Sequence, residues 1–229
     1  METNRFKVGY VGYVPVFIDA MFILLAVLWF SQLMNAQTPF AVLIELVIAL
    51  GLILSIVLHE LGHSVMAEGF GVRTDMIELT GLGGLCYYHD PLPAGSWKRI
   101  AIFLAGPAVN LLIWYAMTLL QELPDVRTST LEYGVASSLA WMNFAMFVFN
   151  LLPSYPLDGG RALEVLLTMV MRRATAIKLI GWTGMGIALL CTLYGVRSSS
   201  WWMLILAVSL FVANREQLRD VGAYKSHWP

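Results

Sequence analysis

Charge is what this chain has least of. Only 13% of its 229 residues are Asp, Glu, Lys or Arg, against roughly a quarter in soluble domains, which sets aside an ordinary soluble globule. No dense basic or acidic run is present, and a net charge of -1 offers no footprint for nucleic acid. Cysteine is scarce as well. Cys86 and Cys191 lie too far apart to build a thiolate metal cluster between them, and they read as small buried or interfacial residues. No small-residue cleavage site follows the first apolar run, so no removable signal peptide is expected. Repeats and low-complexity tracts are missing too.

What fills the chain instead is apolar sequence, 59% of all residues. A bilayer crossing needs roughly twenty mostly apolar residues, and such stretches occur near 15 to 33, 40 to 68, 97 to 120, 133 to 152, 174 to 196 and 200 to 214. They leave no room for a separate soluble unit, so residues 1 to 229 are expected to form a single integral membrane domain. With six spans, nearly all Lys and Arg fall on the side of the two termini, and only Arg127 and Arg197 fall on the other. The positive-inside rule then predicts cytoplasmic termini.

Two departures from helix stand out. The segment Asp75 to Asp90, with β-formers around Gly81, Gly83 and Gly84, predicts a short hairpin or loop whose edge could pair with an extended peptide. In Asn150 to Gly160 (NLLPSYPLDGG), two prolines must break the fourth helix, and a shorter helix resumes at Asp158. The expected fold is an all-α membrane protein. It has about six transmembrane helices, a broken fourth helix, and a small Gly-rich β-hairpin or loop between helices 2 and 3.

The second span carries Leu58-His59-Glu60-Leu61-Gly62-His63, an H-E-x-x-H pattern. Residues four apart share a helix face, so His59 and His63 can converge on one tetrahedral metal. Glu60 is turned about 100° away and suits a base taking a proton from water at the metal. Ionisable groups at membrane depth are costly unless they line a cavity, pair or bind metal. A catalytic zinc wants three protein ligands and an open position. His89 lies in a loop and His227 in the C-terminal tail, which leaves acids on other spans. Asp158 follows a helix break of the kind tolerated where it lines a cavity. It stands near the cytoplasmic level reached by His59 after about 20 residues of helix at 1.5 Å each. A plain helix-start carboxylate, favoured by the helix dipole, is the other reading of Asp158. A divalent-metal transporter and a catalytically idle scaffold are the rival functions, although a transporter would spread its ligands over several helices.

Taken together, LHELGH, GLGG, AGPAVN at Ala105 to Asn110 and NLLPSYPLDGG resemble the site-2 protease family of intramembrane zinc metalloproteases. The match is strongest with its compact six-span branch, which includes a sporulation protease processing a pro-sigma factor. The resemblance implies one Zn2+ per chain on His59, His63 and Asp158, with Glu60 as base. It implies that Asn150 contacts the substrate backbone or the oxyanion, and that Gly81, Gly83 and Gly84 guide substrate. The implied substrate is a membrane protein, such as an anti-sigma or pro-sigma factor, in a bacterial or archaeal cell membrane. Many relatives carry a C-terminal cystathionine-β-synthase-type domain. None is expected within these residues, which stop soon after the sixth span.

Overall fold

Thr38 opens the longest helix: its Oγ1 accepts from the Ala41 N–H at 3.2 Å, just ahead of a proline in the first turn, a standard helix start. The computed structural model describes residues 5–23, 38–81, 83–89 and 97–225. The elements run β1 (Arg5–Val11), β2 (Val14–Asp19), α1 (Pro39–Gly69), β3 (Thr74–Thr80), β4 (Gly83–Tyr88), α2 (Trp97–Gln121), α3 (Pro124–Thr128), α4 (Thr130–Asn150), α5 (Asp158–Thr168), α6 (Arg173–Arg197) and α7 (Trp201–Lys225). Two compact units divide the chain, Met1–Leu92 with Ala105–Val148, and Pro93–Leu104 with Phe149–Pro229.

In the first unit, the expected hairpin between the second and third spans exists as β3 and β4, antiparallel, with Ile77 opposite Cys86. Gly83, at φ 126, opens β4 in a backbone region that side chains avoid. The sheet, however, has four strands in the order β1-β2-β3-β4. This corrects the all-α expectation: the fold is mostly helical with a small sheet. It also shifts the start of the expected first span, near 15 to 33: Val14–Asp19 form β2, and residues 24–33 of that stretch lie outside the described residues. β1 and β2 are joined through Gly12 at φ 61, as the first central position of a two-residue II′-type hairpin demands. β2 then pairs in parallel with β3, Val16 opposite Ile77. Val14, Val16, Ile77 and Leu79 form a buried core with Ile56 and Val57 of α1 packed against it. Each such side chain contributes about 1.5–3 kcal/mol when fully buried, so the sheet is fastened to α1 one turn before His59.

Three helices among the described residues are long and apolar enough to cross a membrane: Phe40–Gly69, Trp97–Gln121 and Arg173–Arg197. Only 17% of the most apolar window of the first is buried inside the protein. Its outward residues include Leu43, Leu46, Val47, Leu50 and Leu54, an apolar surface that suits lipid rather than water.

In the second unit, α6 and α7 form a helical hairpin. A Cβ on Gly181 or Gly184 would run into Leu218 or Asn214 of α7, and one on Gly195 into Leu204, so small residues let the two backbones close up. Helix α4 ends at Asn150, and residues 151–157 are irregular before α5 begins. That segment is held by Asn214, whose Oδ1 accepts from the Tyr155 N–H (3.1 Å) and whose Nδ2 donates to the Tyr155 carbonyl (2.8 Å) and Ser154 Oγ (2.9 Å). A Cβ on Gly159 would lie 2.3 Å from the Leu151 carbonyl oxygen, and one on Gly160 2.4 Å from that of Ser154. The Gly-Gly pair therefore lets α5 start directly against the segment before it.

Candidate metal centre

Helical spacing brings His59 and His63 onto one face of α1, and their Nε2 atoms stand 3.2 Å apart with the rings edge to face. In tetrahedral zinc sites with Zn–N bonds of about 2.0–2.1 Å, two ligand nitrogens lie about 3.3 Å apart. The pair is therefore set at the spacing such an ion requires. Glu60 Oε1 lies 3.9 Å from His59 Nε2, and ligand atoms of His59, Glu60 and His63 all fall within 4.8 Å of one another. All three side chains are buried. From one residue along the helix, the glutamate side chain thus curls back toward the imidazole nitrogens.

Two glycines make the room. A Cβ on Gly106 of α2 would sit 2.3 Å from His63 Nε2 and 2.7 Å from His59 Nε2, so only glycine leaves the space in front of both nitrogens open. That closeness follows from the crossing of α1 over α2, where a Cβ on Gly62 would meet Val109 and the Ala105 carbonyl. On the sheet side, a Cβ on Gly84 would lie 2.2 Å from Glu60 Cγ. Cys86 Sγ donates to the Glu60 carbonyl at 3.1 Å. Strand β4 therefore runs directly beside Glu60, and among the described residues it has a sheet neighbour on one side only.

Behind the imidazoles lies a hydrogen-bonded chain of side chains. His59 Nδ1 is 2.5 Å from Asn110 Oδ1 on α2. Asn110 Nδ2 donates to Asn143 Oδ1 on α4 at 2.9 Å, and Asn143 Nδ2 donates to Ser55 Oγ at 3.0 Å. Both asparagines are fully buried. Because Asn110 presents its oxygen, which only accepts, His59 Nδ1 is the donor of this bond, and Nε2 on the other side of the ring faces His63. The donor set, the spacing and the glycine-lined opening fit zinc.

The other residues singled out from sequence are placed as follows. Asp158 is the first residue of α5, buried, with Leu157 rather than Asp158 in the N-cap position. Asn150 is the last residue of α4 and half-buried. Both belong to the second unit. Gly81 lies in the turn between β3 and β4, and Gly83 and Gly84 open β4. Of these glycines, Gly84 touches Glu60. Sequence reasoning assigned no role to Gly106, Asn110, Asn143 or Ser55. A signal existed: three polar side chains within apolar helices, with Ser55 four residues before His59 on the same face.

A model of peptidase family M50 matches residues 47–131 and 127–193, which include His59, His63 and Asp158. A zinc metalloprotease of Methanocaldococcus jannaschii is 33% identical over 200 residues, covering 87% of this chain and 56% of that protein. Stage IV sporulation protein FB of Bacillus subtilis is 29% identical over 172 residues, covering 72% of this chain and 58% of that protein. The chain thus spans little more than half the length of these relatives. Among solved structures, the site-2 protease of Methanocaldococcus jannaschii superposes with a TM-score of 0.69 at 24% identity, over 93% of this chain and 95% of that one. The fold is that of a site-2 protease.

Proposed function

The chain belongs to peptidase family M50, and from that premise we propose that it is an intramembrane zinc metalloprotease. In this reading it hydrolyses a peptide bond in or beside a transmembrane segment of another protein. One zinc per chain is held by His59, His63 and Asp158, and Glu60 is the general base. The observation that carries the reading is the His59–His63 pair at 3.2 Å between Nε2 atoms with the Glu60 carboxylate 3.9 Å away. Asp158 as third ligand is supported by its burial at the head of α5 and by the glycines that hold that helix start in place.

Zinc, when bound, supplies Lewis-acid polarisation of the scissile carbonyl and makes water more acidic. Glu60 Oε1 takes the proton from the attacking water and hands it to the leaving amine nitrogen. Burial of Glu60 beside β4 keeps bulk water from competing for that proton. A helical substrate hides its carbonyls in its own hydrogen bonds, so it must unwind before attack. The open side of β4, next to Glu60, can replace the lost bonds by pairing with the extended strand. Proline substitutions between Gly83 and Tyr87 then reduce cleavage without releasing zinc. Asn150 contacts the substrate backbone or the oxyanion.

The chain is an integral membrane protein. Six crossings, a fourth broken before Asp158, and cytoplasmic termini complete the proposal, supported by the distribution of Lys and Arg. The substrate is a membrane-associated protein of the anti-sigma or pro-sigma class. Purified full-length protein incubated with such candidates tests the reading. Wild type cleaves, chelation stops it, and Glu60→Gln loses about 10²–10⁴-fold in rate while keeping zinc. Cleavage surviving Glu60→Gln removes the base and sinks the mechanism.

A further inference from the structure

We infer that Asn143, which is separated from the histidines by a second asparagine, is a positioning residue that fixes which nitrogen of His59 is free to bind metal. The inference rests on the zinc reading above and concerns how this chain prepares one ligand for the ion.

A side-chain amide is nearly symmetric in shape, so an isolated Asn110 could turn over and present Nδ2 to His59. His59 Nδ1 would then have to accept, the ring proton would move to Nε2, and the nitrogen facing His63 could no longer ligate. The structure removes that freedom by anchoring the far end of the chain on backbone carbonyls, which can only accept. Asn143 Nδ2 donates to the Leu139 carbonyl at 2.9 Å as well as to Ser55 Oγ. Ser55 Oγ donates in turn to the Gly51 carbonyl at 2.9 Å, so toward Asn143 it accepts. Both anchors force Asn143 Nδ2 outward and leave its Oδ1 for Asn110. Asn110 must then spend Nδ2 on Asn143 and offer Oδ1 to His59. Each step follows from the one before, from a backbone carbonyl on α4 to the lone pair on His59 Nε2.

Packing sets the reach of this chain. A Cβ on Gly51 would lie 2.8 Å from the Leu139 side chain, so α1 and α4 approach closely one turn before Ser55, and Asn143 can bridge to it. With Asn110 and Asn143 fully buried, bulk solvent does not reach them, and a polar group left without its partner there is costly.

The test measures zinc affinity of the full-length protein by chelator competition, together with ¹⁵N NMR of histidine-labelled, zinc-free protein. The chain has four histidines, so the spectrum can be assigned by substitution. Asn110→Leu should weaken zinc about 10–100-fold. Asn143→Leu should weaken it about tenfold, at the low end of the same range. The double variant should lose no more than Asn110→Leu alone, because Asn143 acts only through Asn110. Ser55→Ala, which leaves the Leu139 anchor, should change little. Wild-type His59 should show a protonated Nδ1, and Asn143→Leu should populate the Nε2–H form.

A merely structural Asn143 predicts additive losses and an unchanged tautomer, and that result overturns the inference. So does wild-type His59 already carrying its proton on Nε2, which can be read even if Asn143→Leu fails to fold. His59→Ala separates the two levels of argument. If it keeps wild-type zinc affinity, the metal reading itself fails; if it loses zinc while Asn143→Leu does not, only the positioning role fails.

Discussion

Both units of this protein bury asparagines within apolar helices, and they use them differently. Asn110 and Asn143 in the first unit pass their hydrogen bonds from side chain to side chain and end on an imidazole. Asn214 in the second holds main chain, the N–H and carbonyl of Tyr155, with further contacts to Ser154 Oγ at 2.9 Å and to the Leu210 carbonyl on its own helix at 2.7 Å. Where the recipient is a ring, an amide chain fixes the direction of a lone pair. Where the recipient is backbone, the same group fixes the shape of a segment that cannot be helical. In the proposed reading the first arrangement serves ligand chemistry, and the second shapes the segment that precedes Asp158.

The largest effect that would sharpen this contrast is expected at Gly106. Gly106→Ala puts a methyl group against both Nε2 atoms, and zinc affinity should fall on the order of 100-fold, measured by chelator competition, with the second unit unaltered. Next comes Asn214→Leu. It strands the Tyr155 N–H and carbonyl in a buried site and should cost about 3 kcal/mol of stability. The damage should appear as faster hydrogen exchange around Tyr155 and leave the His59 tautomer as in wild type. A shifted tautomer in that variant would break the division of labour.

The smallest effect lies in the sheet. Burial first, and then the hydrogen bond to Glu78 at 2.8 Å, hold the Tyr87 phenol above its ordinary 10.0. The folded state favours the neutral phenol, so this contribution to stability is complete below about pH 10 and fades as pH rises through the folded value. Tyr87→Phe should flatten that alkaline decline in thermal unfolding and leave zinc affinity unchanged.

Much of this was legible in the sequence, for physical reasons that differ by residue. His59, Glu60 and His63 sit on an uninterrupted helix, where spacing alone sets geometry, and the structure gathers them. The Pro and Gly residues of Leu151 to Gly160 announced an irregular segment because those residues restrict or free the backbone wherever they stand. β2 was not legible. VPVFID is an apolar run continuing into a longer one, and periodicity cannot tell a buried strand from the start of a membrane helix. Its neighbour β3 is some sixty residues further along the chain, Val16 opposite Ile77. The amide chain was hidden likewise: Asn143 and Ser55 are 88 residues apart, and nothing local to either names the other. Only the cost of burying them pointed to a partner.

The central claim is that two imidazoles and one carboxylate hold a single catalytic zinc. X-ray absorption on the zinc-loaded protein reads that directly. The account predicts two imidazole nitrogens and a carboxylate oxygen at about 2.0–2.2 Å, with the imidazole signal halved in His63→Ala and the carboxylate oxygen lost in Asp158→Ala. A zinc shell with no imidazole, or one indifferent to both substitutions, would contradict it.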